Sequence, residues 1–315
     1  MVWLTMGLTA VYFPPTGAMT ERSRVPMSCV VSILPQAYFV ERIGGENVDV
    51  QVMVGPGQSP ATYEPTVRQI TNVARSRVYF AIGVAIENTI VPRIERSFPT
   101  IDVIYTQKGV SLRSTESHHH PDAGSLHTHA SHGSSNISKG GKNCGATAAV
   151  FDPHVWLSPT AGITIAKNIR DALIRLDSQR SDVYITNCDS LIADLECVDR
   201  EIRQLLTPLK GSELFVFHPA YGYFTDAYEL VQIPIEIAGA TPGPKHLATV
   251  IEKARERKVK VIFVQPQFST TTAETVAEAV GARLVPLDPL AKDYLPNLRR
   301  MAENIAEALG NPLNE

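Results

Sequence analysis

Ser181-Asp182-Val183-Tyr184-Ile185-Thr186-Asn187-Cys188-Asp189-Ser190-Leu191-Ile192-Ala193-Asp194-Leu195-Glu196-Cys197-Val198-Asp199-Arg200-Glu201-Ile202-Arg203-Gln204-Leu205-Leu206 is the stretch on which the reading of the fold turns. Its apolar positions Cys188, Leu191, Ile192, Leu195, Val198, Ile202 and Leu205 recur at intervals of one, three and four, the signature of one helical face. At ~1.5 Å per residue the helix spans nearly 40 Å, more than a small lobe needs. It therefore reads as a connector between two lobes.

Outward from it, both flanks alternate between strand-like and helix-like segments. Upstream, Cys29–Leu34, Val48–Val54, Val78–Ile82 and Ile101–Ile104 are β-branched runs. They are separated by helical patterns at Pro35–Ile43, Pro65–Arg75 and Glu87–Arg96, and Thr160–Leu176 leads into the connector. Downstream, strands at Leu214–Phe217, Gln232–Ala238, Val259–Val264 and Arg283–Leu287 alternate with helices at Tyr223–Leu230, His246–Arg257, Thr272–Val280 and Leu295–Leu309. Strands alternating with helices predict α/β lobes with parallel sheets. The expected plan is two Rossmann-like βα lobes joined by a long rigid helix: a signal-like segment at 1–26, a first lobe at 27–180, the connecting helix at 181–207 and a second lobe at 208–315.

Composition narrows the class of function. With 315 residues, 44% hydrophobic and 19% charged, the chain is globular and large enough for two cores. Its 29 basic and 32 acidic side chains give a net charge of −3 with no basic stripe, so nucleic acid is not an expected partner. The apolar run Val2–Phe13 is too short to span a bilayer and resembles the core of a secretory signal, which predicts an exported, periplasmic or extracytoplasmic protein. Cys29, Cys144, Cys188 and Cys197 contain no close pair of metal-binding spacing.

Histidines are distributed unevenly. His118, His119, His120, His127, His129 and His132 fall in one Ser/Gly-rich stretch, residues 114–147, which cannot build a core and reads as a loop that collects metal ions. Immediately after it comes Phe151-Asp152-Pro153-His154-Val155-Trp156-Leu157-Ser158-Pro159, where two prolines hold a histidine on a locally fixed backbone. A second histidine, His218, ends the apolar strand Phe215-Val216-Phe217, and Asp288 follows the last strand of the second lobe. Carboxyl ends of strands in α/β lobes converge on clefts. Two imidazoles and a carboxylate there are a plausible set for Zn²⁺, Mn²⁺ or Fe²⁺. Asp152 and Asp226 read as partners for the imidazole N–H groups.

Several stretches, in order from about residue 28 to the end, resemble the zinc/manganese solute-binding proteins of ABC importers, the ZnuA-like family. They are Ser32–Phe39, Ser59–Pro65, Asp152–Leu157, His218–Phe224, Val264–Ser269 and Leu287–Leu290. The resemblance implies two βα lobes on a rigid helix with one divalent cation, expected to be Zn²⁺, held between them as cargo for an ABC transporter membrane permease. It also implies His154 and His218 as metal-binding histidines and Asp288 as the carboxylate ligand. The chain departs from the pattern where the family's first ligand histidine would stand, because that position is Ala61, which has no donor atom. Glu64 beside it is expected to begin the helix that Pro65 continues. The chain is expected to act as a monomer and not as an enzyme. Two other readings fit the same residues: a zinc-dependent hydrolase using a three-ligand open site, and a metal-storing or adhesive surface protein. Neither HExxH nor a comparable paired signature occurs to favour the first.

Overall fold

In the computed structural model, residues 25–114, 151–236 and 243–310 are described. The signal-like segment up to residue 24, the histidine-rich residues 115–150, and with them His118, His119, His120, His127, His129, His132 and Cys144, lie outside them.

The first lobe is a parallel sheet of β1 (Met27–Val31), β2 (Val48–Val52), β3 (Val78–Ala81) and β4 (Asp102–Tyr105), in the spatial order β2-β1-β3-β4. The second repeats that order with β5 (Glu213–Val216), β6 (Val231–Pro234), β7 (Val261–Val264) and β8 (Arg283–Pro286), arranged β6-β5-β7-β8. Every pairing in the two sheets is parallel, as the alternation of strands and helices predicts. In both sheets the chain reverses its direction of growth beside the first strand, which creates a crevice at the strands' carboxyl ends. Pro234, which cannot donate to a ladder, sits on the edge strand β6, where it is tolerated.

Helices α1 (Leu34–Gly44), α2 (Val67–Val73) and α3 (Glu87–Ser97) serve the first sheet; α6 (Gly222–Ala227), α7 (Pro244–Glu256) and α8 (Thr271–Val280) serve the second. Between the lobes run α4 (Pro159–Leu176), α5 (Ser181–Leu206) and, returning from the C-terminal side, α9 (Tyr294–Gly310). α1 stops where Gly45 takes φ 57°, a conformation that costs glycine little. α2 differs from expectation by starting at Val67. Thr66 and Gln69 form a reciprocal cap, with the Gln69 N–H donating to the Thr66 hydroxyl (3.3 Å) and the Thr66 N–H to the Gln69 side chain (2.9 Å). Glu64 is thus exposed and outside the helix it was expected to begin.

α5 buries Tyr184, Cys188, Leu191, Leu195, Val198, Ile202 and Leu206. The expected stripe ended at Leu205, yet Leu205 is 40% exposed and Leu206 fully buried. From Ile202, four residues on advance the helix by about 40° past a full turn, whereas three fall about 60° short, so Leu206 lies nearer the stripe.

The core explains how the lobes are joined. Along β5 and β7, alternate side chains face opposite ways: Leu214, Val216, Val261 and Phe263 join one large cluster, while Phe215, Phe217, Ile262 and Val264 join a smaller one under α7 and α8. The large cluster runs without interruption from β1 and β3 through α1, α4, α5 and α9 to the inner face of the second sheet. Gly162 of α4 permits this closeness: a Cβ there would lie 3.2 Å from Leu195, 3.3 Å from Phe39 and 3.3 Å from the Tyr294 hydroxyl. α9 packs along the connecting helix α5, and its Tyr294 ring lies 4.9 Å from Phe39 and 5.8 Å from Tyr38 of α1. No helix among the described residues is long and apolar enough to cross a membrane.

Candidate metal centre

His154 and His218 come from opposite lobes and meet. Their ring centroids are 5.3 Å apart at an interplanar angle of 76°. His154 caps the short 3-10 turn Val155–Leu157 that precedes α4, and His218 follows the buried end of β5. Each side chain is 16% exposed, so both rings are largely withdrawn from water without being sealed off.

Behind each ring stands a buried carboxylate. His154 Nδ1 is 2.7 Å from Asp152 Oδ1, which also accepts the His154 backbone N–H at 3.0 Å. His218 Nδ1 is 2.6 Å from Glu236 Oε1. A carboxylate only accepts, so the proton is assigned to Nδ1 in both rings and the lone pair to Nε2. Neither Nε2 is engaged in a hydrogen bond among the described residues. Two imidazoles with oriented lone pairs, backed by carboxylates, form the arrangement from which a divalent cation is bound.

Asp152 thus plays the part its sequence position predicts. Asp226 does not: it is 57% exposed and accepts from the Arg113 guanidinium Nε at 2.9 Å, away from the imidazoles. The partner of His218 is Glu236, just beyond β6 and 3% exposed, which pattern reading missed. The available signal was topological, because β5 and β6 are neighbouring parallel strands and residues just past their carboxyl ends lie side by side.

The segment Gln265–Phe268 after β7 shapes the His218 side. Gln265 clamps the His218 backbone by accepting its N–H (3.1 Å) and donating to its carbonyl (2.9 Å). Phe268 stacks on the His218 ring at 4.7 Å and 27°. Gln267 donates to Asp288 Oδ1 at 2.7 Å, and the Leu290 N–H donates to the same oxygen at 2.9 Å.

Asp288 is tethered between the two histidine turns through its neighbours. The Tyr221 hydroxyl donates to the Leu287 carbonyl and the Trp156 indole N–H to the Pro289 carbonyl, each at 2.8 Å. Burial holds the Tyr221 phenol well above its ordinary range, so it stays a donor. Among the described residues, no three His, Cys, Asp or Glu side chains are gathered closely enough to form a complete metal cluster. The structure therefore brings His154 and His218 together and sets the Asp288 backbone nearby, with its carboxylate turned to Gln267 and Leu290. Ala61 is exposed in the Ser59–Tyr63 turn. Cys29 is buried in β1, where burial, reinforced by Asp49, pushes its thiol up to about 12, and Cys188 and Cys197 are free thiols.

Two similar α/β lobes on a shared helical layer, with paired imidazoles where they face each other, define the class of metal-binding solute-binding proteins. The sequence profile of the ZnuA family, described as zinc-uptake complex component A, periplasmic, matches residues 29–308, and the chain belongs to that family. Zinc-binding protein AdcA of Streptococcus pyogenes serotype M3 is 26% identical over 324 residues, covering 96% of this chain and 60% of AdcA. The high-affinity zinc uptake system protein ZnuA of Bacillus subtilis is 28% identical over 267 residues, covering 83% of this chain and 77% of that protein. A crystal structure of ZnuA superposes with a TM-score of 0.77 at 34% identity, covering 90% of this chain and 99% of that one. A ZnuA deletion mutant with zinc bound superposes with a TM-score of 0.75 at 33% identity, covering 90% and 98%. The chain thus spans 60% of AdcA, less than two thirds, and nearly all of the ZnuA structures.

Proposed function

We propose that this protein is an exported solute-binding protein that captures Zn²⁺ between its lobes and delivers it to the membrane permease of an ABC importer, acting as a monomer. The observation that carries the reading is the pair His154 and His218, 5.3 Å apart, each with Nδ1 held by a buried carboxylate so that Nε2 is presented as a ligand. Asp288 is the proposed third ligand, swinging from Gln267 to the ion. Ala61 supplies no donor, so the fourth position is left to water or to a histidine of the 115–150 stretch such as His118 or His120. Imidazole donors favour zinc among the ions that tolerate a mixed nitrogen and oxygen set, with Mn²⁺ and Fe²⁺ as weaker cargo. The zinc-binding relatives and the zinc-loaded ZnuA structure support this choice.

Binding is favoured over hydrolysis by the commitments of the nearby carboxylates. A hydrolytic zinc site needs a general base within reach of the metal-bound water. Asp152 and Glu236 are instead turned to the Nδ1 side of the rings, opposite the ion. The test is a competitive chelator titration of metal-free protein with Zn²⁺ and Mn²⁺, beside His154→Ala and His218→Ala. One tight zinc equivalent, lost in both variants, is the expected result. Tight binding that survives both substitutions would refute the assignment.

A further inference from the structure

Arg113 lies outside every motif discussed above, yet it touches both lobes beside the paired histidines. Its backbone carbonyl accepts the Asp152 N–H at 2.8 Å, and its own N–H donates to the Tyr223 hydroxyl at 2.8 Å. Tyr223 in turn donates to the Asp152 carbonyl at 3.1 Å. The guanidinium donates through Nε to Asp226 of α6, and its Nη1 lies 3.8 Å from Asp152 Oδ2. Asp152 Oδ1 is the oxygen that holds His154. An unbroken chain of contacts therefore runs from the His154 ring through Asp152 and Arg113 to α6, the helix that follows the His218 turn.

Packing fixes this chain in place. The Arg113 and Asp152 side chains are 19% and 4% exposed, so neither is a freely solvated surface charge. A Cβ on Gly222 would lie 2.4 Å from Arg113 Nη1 and 2.7 Å from Asp152 Oδ2, so the ion pair rests against a bare Cα of α6. No larger residue fits there without displacing the guanidinium or the carboxylate.

Resting on the metal-binding reading, we infer that Arg113 is a positioning residue: it sets the Asp152 carboxylate against the His154 ring and ties that ring's orientation to the contact between the lobes. Arg113 does not touch the ion. It holds Oδ2 of Asp152 so that Oδ1 stays aligned with Nδ1, and it does so only while α6 supplies Asp226 and the glycine platform. Zinc affinity is thereby coupled to the contact between the lobes at this seam.

The test is a double-mutant cycle in zinc affinity, measured by chelator competition on the full chain. Arg113→Gln is expected to weaken zinc binding about 10-fold, the lower end of the loss caused by removing a ligand's outer-shell partner. In an Asp152→Asn background the same substitution should change affinity no further, because its route to the metal is already cut. Gly222→Ala, which pushes on the pair from the other side, should reproduce the loss and serves if Arg113→Gln folds poorly. The d–d spectrum of the Co²⁺-loaded protein should shift in Arg113→Gln and Gly222→Ala alike, a change that a loss of general stability does not produce. Wild-type affinity in Arg113→Gln, or a full additional loss in the Asp152→Asn background, would overturn the inference. Failure of His154→Ala to remove the tight site would instead overturn the metal-binding reading itself.

Discussion

Glu236→Gln isolates what a carboxylate behind an imidazole contributes to metal binding. Glu236 is buried, its Oε1 is 2.6 Å from His218 Nδ1, and the ring it holds is 16% exposed. The amide is nearly isosteric and retains an acceptor oxygen, so packing survives while the negative charge is lost. A hydrogen bond to a charged group contributes about 1.5–3 kcal/mol. Only the part that strengthens when Nε2 binds a cation, and Nδ1–H becomes more acidic, enters the metal affinity. Losses of about 10–100-fold follow removal of such partners, equivalent to about 1.4–2.7 kcal/mol. Zinc affinity of Glu236→Gln should therefore fall by that factor in a chelator competition assay. Denaturant unfolding of the metal-free variant should change by about 1 kcal/mol or less, because a buried charge has also been relieved of its desolvation cost. Glu252→Gln, exposed on α7, should leave both measurements unchanged. Undiminished zinc affinity in folded Glu236→Gln would refute the assignment of His218 Nε2 as a ligand atom.

Trp156→Phe removes the N–H donated to the Pro289 carbonyl and leaves a gap at a residue only 1% exposed. Urea unfolding should show a loss of about 2–3 kcal/mol, and an unchanged midpoint would contradict the packing described. Replacing residues 117–146 by a short Gly-Ser link should keep the single tight zinc equivalent and remove weaker ones in a zinc titration, because Asp152 bonds to the Arg113 carbonyl and Phe151 bridges Ser114 independently of that stretch. Burial raises the Glu87 carboxyl above its ordinary range, against hydrogen bonds from Ser32, Ile82 and Gly83 that pull it down. The native state therefore holds this proton more tightly than the unfolded chain. Its contribution to stability is complete below the ordinary carboxylate range and is lost as pH rises through the raised value. The stability difference between wild type and Glu87→Gln, followed by denaturant unfolding from pH 4 to 8, should move in favour of the variant as pH rises; a flat difference would refute the direction.

Much of the architecture was legible because the patterns were long. α5 lies where its stripe of Cys188, Leu191, Leu195, Val198 and Ile202 places it, and each strand appears within a few residues of its β-branched run. What failed was decided by local competition or by pairing between distant segments. Thr66 and Gln69 formed a cap that starts the helix two residues past Pro65, and Leu206 displaced Leu205 through the helix's fractional turn. At the site, His154 and Asp152 were readable because they share one turn. The Glu236 partnership required knowing that β6 neighbours β5, and the role of Arg113 required knowing which helix end the first lobe meets. Neither pairing leaves a trace in spacing along the chain.

The same packing bears on how an ion enters and leaves. Trp156, Tyr221, Phe224, Leu287 and Tyr294 are almost fully buried and belong to the one cluster that spans both sheets. Separating the lobes far enough to wet this seam would expose several aromatic side chains at once. At about 25 cal/mol per Å² and roughly 150–250 Å² for each ring, full exposure costs about 4–6 kcal/mol per side chain, which for the four aromatics together exceeds the usual stability of a whole domain. Wide hinge opening is therefore not an economical route to ion exchange. The elements that can move cheaply are those at the rim: the Gln265–Phe268 segment, partly exposed from Pro266 onward, and the Asp288 carboxylate, held on one oxygen by Gln267 and Leu290. A metal that recruits Asp288 must take that oxygen from Gln267 or use the other one, and either change alters the surface at the mouth of the seam. Under the proposed delivery to a permease, loaded and empty protein would then differ at this rim and not by a large change in the angle between the lobes.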